Sequence, residues 1–282
     1  VRAVRDLDLD VPRGSLCGFL GPNGAGKTTT IRMIMSIIYP DAGSVEVLGG
    51  SALRSKDRIG YLPEERGLYR KMRVGDFLVY LARLKGRDPA NLRAHVQSCL
   101  DRVALPDVMG RKCEELSKGM QQKVQFLAAV LHDPELLILD EPFSGLDPVN
   151  AQLLQDLIHE LHQQGRTIIF STHVLHQAEQ LCDRIFLINK GVKLLDATLD
   201  EIRKRYDPRT IVAEPLNGSA AIEVELEEGA DPQSVMSGIL ARGAMRSVEL
   251  RRLTLEEVFV RVVHRDAGAD AAEAAREELK FV

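Results

Sequence analysis

Apolar residues along the chain fall into short strand-sized blocks separated by helical stripes, the alternation that a mainly parallel sheet covered on both faces requires. Val4 to Val11 sets Leu7 and Leu9 against Asp6, Asp8 and Asp10, the period-two signature of a half-buried strand. Leu16–Leu20 is a second apolar block, and Val45 to Leu48 and Ile59 to Pro63 read as two more, bounded by glycines and a proline. From Met72 to Leu131 the spacing becomes helical, with Phe77, Tyr80, Leu81 and Leu84 on one face and His95, Cys99 and Val103 continuing past Asp88-Pro89. This predicts an inserted helical subdomain over 72–131. The alternation then resumes with strands at Leu136–Leu139, Thr167–Phe170, Ile185–Ile188 and Val192–Leu195, and helices at Ala151–His162 and His176–Cys182.

The organisation changes around Asp207-Pro208. Ile222, Val224 and Leu226 alternate with glutamates as a strand, a helix is expected over Pro232–Ala241, and Ser247–Leu253 returns as a strand. Thr254 and Glu257 form a capping box for a last helix with Leu255, Val258, Phe259 and Val262 on one face. The expected organisation is one large α/β domain over 1–208, a small α+β domain over 209–265 and a tail over 266–282.

Composition narrows the class without deciding it. The chain has 282 residues, 45% hydrophobic and 28% charged, ordinary values for a folded protein. A net charge of −4 gives no reason to expect a nucleic-acid partner. The four cysteines are widely spaced and read as reduced thiols. No apolar run approaches the ~18 residues needed to span a bilayer. Because the first residue is Val1 rather than Met, the sequence is expected to begin inside a longer natural protein.

The chemistry begins at Gly21-Pro22-Asn23-Gly24-Ala25-Gly26-Lys27-Thr28-Thr29, set between the block Leu16–Leu20 and the helical pattern Ile31, Ile34, Met35. Strand, glycine-rich loop and helix in this order make a nucleoside-triphosphate site: the loop turns backbone N–H groups inward around phosphate oxygens, and the helix adds the positive end of its dipole. Lys27 is placed to reach the β- and γ-phosphates, and the Thr28 hydroxyl to ligate Mg²⁺. Leu136–Leu139 ends in Asp140-Glu141, one carboxylate for the metal and one to polarise a water. Ser171-Thr172-His173 follows the next strand, at the sheet edge where parallel α/β folds bind ligands, with His173 expected near the γ-phosphate and Glu141. Glu115-Leu116-Ser117-Lys118-Gly119-Met120 opens another amphipathic helix.

That last motif, between a phosphate loop and a Leu-Asp-Glu strand end, resembles the signature sequence LSGGQ of ATP-binding cassette (ABC) proteins. The resemblance spans residues 1 to about 205 and holds for five motifs in the family's order: Walker A at 21–28, signature at 116–120, Walker B ending at Asp140 and Glu141, D-loop at 144–147 with Asp147, and switch histidine His173. It implies a P-loop ABC ATPase core with an antiparallel β subdomain, and two cassettes, as a homodimer or a heterodimer, sandwiching two MgATP head to tail. Ser117 and the Gly119 N–H would then face the γ-phosphate held by the other copy. Glu64 stands where the family has its Q-loop glutamine and is a candidate Mg²⁺ ligand; Lys118 and Met120 replace the usual Gly and Gln. No aromatic residue precedes Phe19 to stack on adenine, as the family's pattern requires.

The Glu64 variant and the C-terminal domain resemble an exporter-type branch whose partners are separate membrane permeases. The implied function is the ATPase subunit of an exporter, peripheral on the cytoplasmic face of the membrane, with the permease docking on 64–71 and the helical subdomain beside Arg66, Arg70, Lys71 and Arg73. A soluble ABC ATPase acting on ribosome or DNA is the alternative, and the single cassette weighs against it.

Overall fold

The computed structural model describes residues 2–65, 67–86, 90–206, 209–227 and 229–267. In chain order its elements are β1 (Leu16–Leu20), α1 (Lys27–Ile34), β2 (Ile59–Leu62), α2 (Val74–Leu84), α3 (Leu92–Arg102), α4 (Lys118–Val130), β3 (Leu136–Asp140), α5 (Pro148–Gln163), β4 (Thr167–Thr172), α6 (Leu175–Leu181), β5 (Arg184–Asn189), β6 (Val192–Thr198) and α7 (Leu199–Arg205). The C-terminal part adds β7 (Thr210–Pro215), β8 (Ile222–Glu225), α8 (Pro232–Leu240), β9 (Met245–Leu250) and α9 (Leu255–Ala267).

The large sheet runs β2-β3-β4-β1-β5-β6, parallel from β2 to β5 with β6 antiparallel at the edge. β1, β3 and β4 are buried along their whole length, which is why they read as unbroken apolar runs rather than alternating ones. One face carries Leu20, Leu139, Phe170, Leu154 and Ile158, the other Phe19, Ile31, Ile138 and Phe186. A separate cluster built on Phe77, Leu78, Val96, Leu100 and Leu127 holds α2, α3 and α4 together as the helical subdomain. The Asp88-Pro89 break lies outside the described residues.

The expected strand Val4–Val11 is not one. Leu7, Leu9 and Val11 do pack against the Phe186 and Ile188 side of the sheet, so the alternation correctly reports burial. The backbone, however, joins no ladder: Arg5 N–H donates to Gly191 O at 2.8 Å, and Lys193 Nζ donates to Asp8 O at 2.5 Å. Val45–Leu48 is likewise reduced to an isolated bridge between Val47 and Gly50. Antiparallel pairing is carried instead by β5–β6 and by the three-stranded C-terminal sheet, ordered β8-β7-β9.

The C-terminal sheet and α8 share a small cluster of Ile211, Ala213 and Ile239. α9 leaves that unit. Its capping box forms as the sequence predicts, with Glu257 N–H on Thr254 Oγ1 at 3.3 Å and Thr254 N–H on Glu257 Oε2 at 2.9 Å. Its apolar stripe, Leu255, Val258, Phe259, Val262 and Val263, then joins the buried cluster of the large domain, packed against α6 and β6. Burying such side chains is worth roughly 1.5–3 kcal/mol each. Among the described residues no helix is long and apolar enough to cross a membrane.

Candidate functional site

The loop after β1 wraps tightly because two of its glycines leave no room for a side chain. Gly21 has φ 157°, and a Cβ there would lie 2.1 Å from the Ile188 carbonyl oxygen. Gly26, the residue before α1, has φ 108°, and its Cβ would meet the Ala3 carbonyl oxygen at 2.8 Å. The loop is buttressed from outside by the β5–β6 hairpin, whose two-residue turn Lys190-Gly191 has φ of 48° and 78°, the left-handed pair of a tight hairpin. The Gly191 N–H donates to Ala25 O at 2.9 Å.

Lys27 is buried and folds back over its own loop, donating to Gly21 O at 2.6 Å and Pro22 O at 3.2 Å. Burial lowers its pKa, an effect opposed by the carboxylates of Glu141, Asp140 and Glu64. A cavity of about 310 Å³ opens above this loop. Asn23, Gly24, Lys27 and Thr28 line its floor, and Glu64, Asp140 and Glu141 its wall; Ala25, Gly26 and Thr29 also reach it.

The wall carboxylates are held by the neighbouring strand. β3 and β4 pair Asp140 with Ser171, and the Ser171 hydroxyl donates to Asp140 Oδ1. Asp140 Oδ2 is buried without a hydrogen-bond partner. An acceptor-only oxygen left bare beside a helix-terminal hydroxyl, Thr28, is a hard donor set of the kind Mg²⁺ takes when substrate phosphates supply its other ligands. Glu64, the exposed third candidate, lines the same wall. Tyr61 on β2 has its phenol pushed up to about 12 by burial and by Asp140, so it stays a neutral hydroxyl.

Glu141 sits at φ 50°, in the left-handed region that few side chains adopt. Three donors fix its carboxylate: the His173 backbone N–H at 3.0 Å and ring Nδ1 at 2.7 Å on Oε1, and the Thr172 hydroxyl at 3.3 Å on Oε2. Thr172 Oγ1 in turn accepts the Val174 N–H at 3.0 Å. His173 therefore stands behind Glu141 rather than on the cavity wall. Ser171 and Thr172 are positions that sequence reasoning missed. Their signal was present in the Ser-Thr-His run, but it becomes readable only once β4 is known to lie beside β3.

Ser117, Gly119 and Asp147 do not line this cavity. Ser117 is the exposed N-cap of α4, accepting Met120 N–H at 3.3 Å. Gly119 faces the D-loop, where an added Cβ would lie 3.4 Å from Leu146 Cδ2. Asp147 caps α5, accepting the Asn150 N–H at 3.0 Å, and bonds to Asn150 hold its carboxyl below the usual aspartate range.

The family model described as ABC transporter matches residues 4–144. The chain is 40% identical over 279 residues to the ABC transporter ATP-binding protein YhaQ of Bacillus subtilis (strain 168), covering 93% of this chain and 94% of that protein. It is 31% identical to the daunorubicin/doxorubicin resistance ATP-binding protein DrrA of Streptomyces peucetius, across 99% of this chain and 93% of that one. Among solved structures, the ATP-binding subunit of an ABC transporter superposes with a TM-score of 0.68 at 32% identity, covering 72% of this chain and 87% of the other. A phosphate loop under a carboxylate-bearing parallel sheet, together with likeness to relatives over nearly their full length, places the chain in the ABC transporter ATP-binding proteins, a family that binds and hydrolyses ATP.

Proposed function

We propose that this chain is the ATPase subunit of an ABC exporter and that two cassettes close head to tail on two MgATP. The observation that carries the reading is the division of its chemistry. The phosphate loop and the carboxylates share one cavity, whereas Ser117 and Gly119 open α4 outside it, a set of phosphate donors that the same chain's loop does not use. A second copy would supply them.

In this reading the backbone N–H groups of the loop from Asn23 to Thr29, apart from that of Ala25, which bonds Pro22 O, cradle the phosphates. Lys27 exchanges its bonds to the Gly21 and Pro22 carbonyls for the β- and γ-phosphate oxygens, so a buried cation gains a counter-anion. Thr28, Asp140 and Glu64 would hold Mg²⁺, which when bound would offset phosphate charge. Glu141 accepts a proton from the water that attacks the γ-phosphorus in line, while the bond to the β–γ bridging oxygen breaks and ADP leaves on the opposite side. His173 acts behind it, orienting Glu141 through Nδ1 and its backbone N–H. Ser117 and the Gly119 N–H of the opposite copy stabilise the charge that develops, with Asp147 at the seam.

The export direction is supported by a 33% identity over 282 residues to the Nod factor export ATP-binding protein I of Mesorhizobium japonicum. A separate membrane permease fits the exposed aromatic surface of the helical subdomain: Tyr69, Tyr80 and Leu84 are more than two-fifths exposed, at 54%, 42% and 62%, beside Arg70 and Lys71. Tyr69 is stacked edge-on to Phe77 at 5.9 Å. Arg66, part of the expected basic rim, lies outside the described residues. The chain would then work as a peripheral protein on the cytoplasmic face of the membrane.

Sedimentation of Glu141→Gln with and without MgATP tests the shared site. ATP should double the mass of Glu141→Gln, and adding Ser117→Arg should return it to a monomer that still binds ATP. A species that stays single with ATP, or a pair untouched by Ser117→Arg, overturns the arrangement.

A further inference from the structure

A second cavity, of about 330 Å³, lies between α7 and the connection from β9 to α9, where the C-terminal sheet meets the large domain. That volume is in the range of small-molecule pockets, roughly 300–1,000 Å³. Its lining sets four cations, Arg203 and Lys204 from α7 and Arg251 and Arg252 from the connection, against one acid, Asp200, beside Tyr206 and the apolar Val258. Two of the four cations are spoken for. Arg251 bridges Glu257 at 3.0 Å and Glu223 at 3.6 Å, and Arg203 reaches Asp200 at 3.5 Å. Lys204 and Arg252 have no carboxylate partner among the described residues.

The basic end of α7 is accounted for by its own dipole, which favours cations in a last turn. Arg252 has no such account. It sits just before the N-terminus of α9, the positive end of a helix; Glu256 and Glu257 in the first turn offset that end, and neither bridges Arg252. The protein as a whole is acidic, with a net charge of −4, so this pair of unpaired cations is a local feature. A lysine and an arginine from separate segments on one cavity wall, with a tyrosine beside them, match a phosphate group: point charge from one side, planar fork from the other.

We infer that this interdomain cavity is a binding site for a phosphate-bearing ligand, distinct from the ATP site. Titration calorimetry with a hexose bisphosphate tests it on the parent chain, on Lys27→Ala, and on the double variant Lys204→Ala/Arg252→Ala, whose retained ATP binding reports an intact fold. The probe should bind the parent and Lys27→Ala alike and the double variant about tenfold more weakly or worse. Binding lost in Lys27→Ala would put the probe in the phosphate loop, and equal affinity in the double variant would remove the cations from it; either overturns the site. Flotation with phosphatidylcholine vesicles, with and without phosphatidylglycerol, separates the two sources of phosphate. Binding to the anionic vesicles that the double substitution abolishes identifies a lipid headgroup, calorimetric binding without flotation identifies a free phosphorylated compound, and the absence of both signals overturns the inference.

Discussion

Replacing Glu141 by Gln removes a charge and keeps a shape, and the surroundings show what that should do. Oε1 accepts two hydrogen bonds from His173, at 3.0 and 2.7 Å, and the amide oxygen of a glutamine can accept both. Oε2 accepts from Thr172 at 3.3 Å, and the amide nitrogen in its place can donate to the same hydroxyl oxygen. The local scaffold and the left-handed backbone at 141 are therefore retained. What disappears is the proton acceptor. General-base catalysis is worth about 10² to 10⁴ in rate, or ~2.7 to ~5.4 kcal/mol of barrier at ~1.36 kcal/mol per tenfold. One anion facing the incoming phosphates also goes, so affinity for ATP should hold or rise. Phosphate release at saturating MgATP, measured beside equilibrium binding of a fluorescent ATP analogue, reads both quantities. Turnover at the parental rate would refute Glu141 as the base, and affinity lost in step with turnover would make it a binding residue instead.

Three further outcomes follow from particular contacts. Thr172→Val deletes one donor to Glu141 without touching the cavity wall, so kcat should fall about tenfold at constant KM and recover in Thr172→Ser; a change in KM alone would count against this positioning role. Gly60 on β2 lies under α4, where an added Cβ would meet the Ala129 carbonyl oxygen at 2.2 Å and Leu137 Cδ1 at 2.8 Å. Gly60→Ala should cost about 1–3 kcal/mol in chemical unfolding by pushing the signature helix outward, and an unchanged midpoint would show that α4 yields freely. Asp231 caps α8, and hydrogen bonds from the Ser234 hydroxyl and from the Ser234 and Gln233 N–H groups hold its carboxyl below the usual aspartate range. Its folded pKa being depressed, the stabilisation is full above the ordinary aspartate pKa of about 4 and fades as pH falls through the lowered value. The gap in Tm between parent and Asp231→Ala should therefore narrow on acidification; a gap independent of pH would refute the cap.

The parts of this molecule that could be read from its residues are those governed by local rules. Leu136–Leu139 and Thr167–Phe170 are apolar because both faces of the sheet are covered, and the phosphate loop announces itself through glycines that Ile188 and Ala3 leave no space to replace. Strand pairing is another matter. Leu7 and Leu9 alternate as a strand would, yet alternation records only which side chains are buried, and here they join the cluster around Phe186 and Ile188 without a neighbouring strand. The support of Glu141 by Thr172 depends on β3 lying next to β4, a fact of topology that no spacing within either segment contains. The stripe on α9 likewise foretold a covered helix without saying what covers it.

That helix makes a late segment of the polypeptide a keystone of the large domain. After building its own sheet, the chain crosses back and wedges Phe259 and its neighbours against α6, which starts two residues after His173. Cutting the chain behind α7 would strip the cover from α6 and β6 and leave a raw greasy trench there. The C-terminal appendage is thus tied by its own strap to the helix that anchors the switch histidine, and cannot be detached without disturbing its footing.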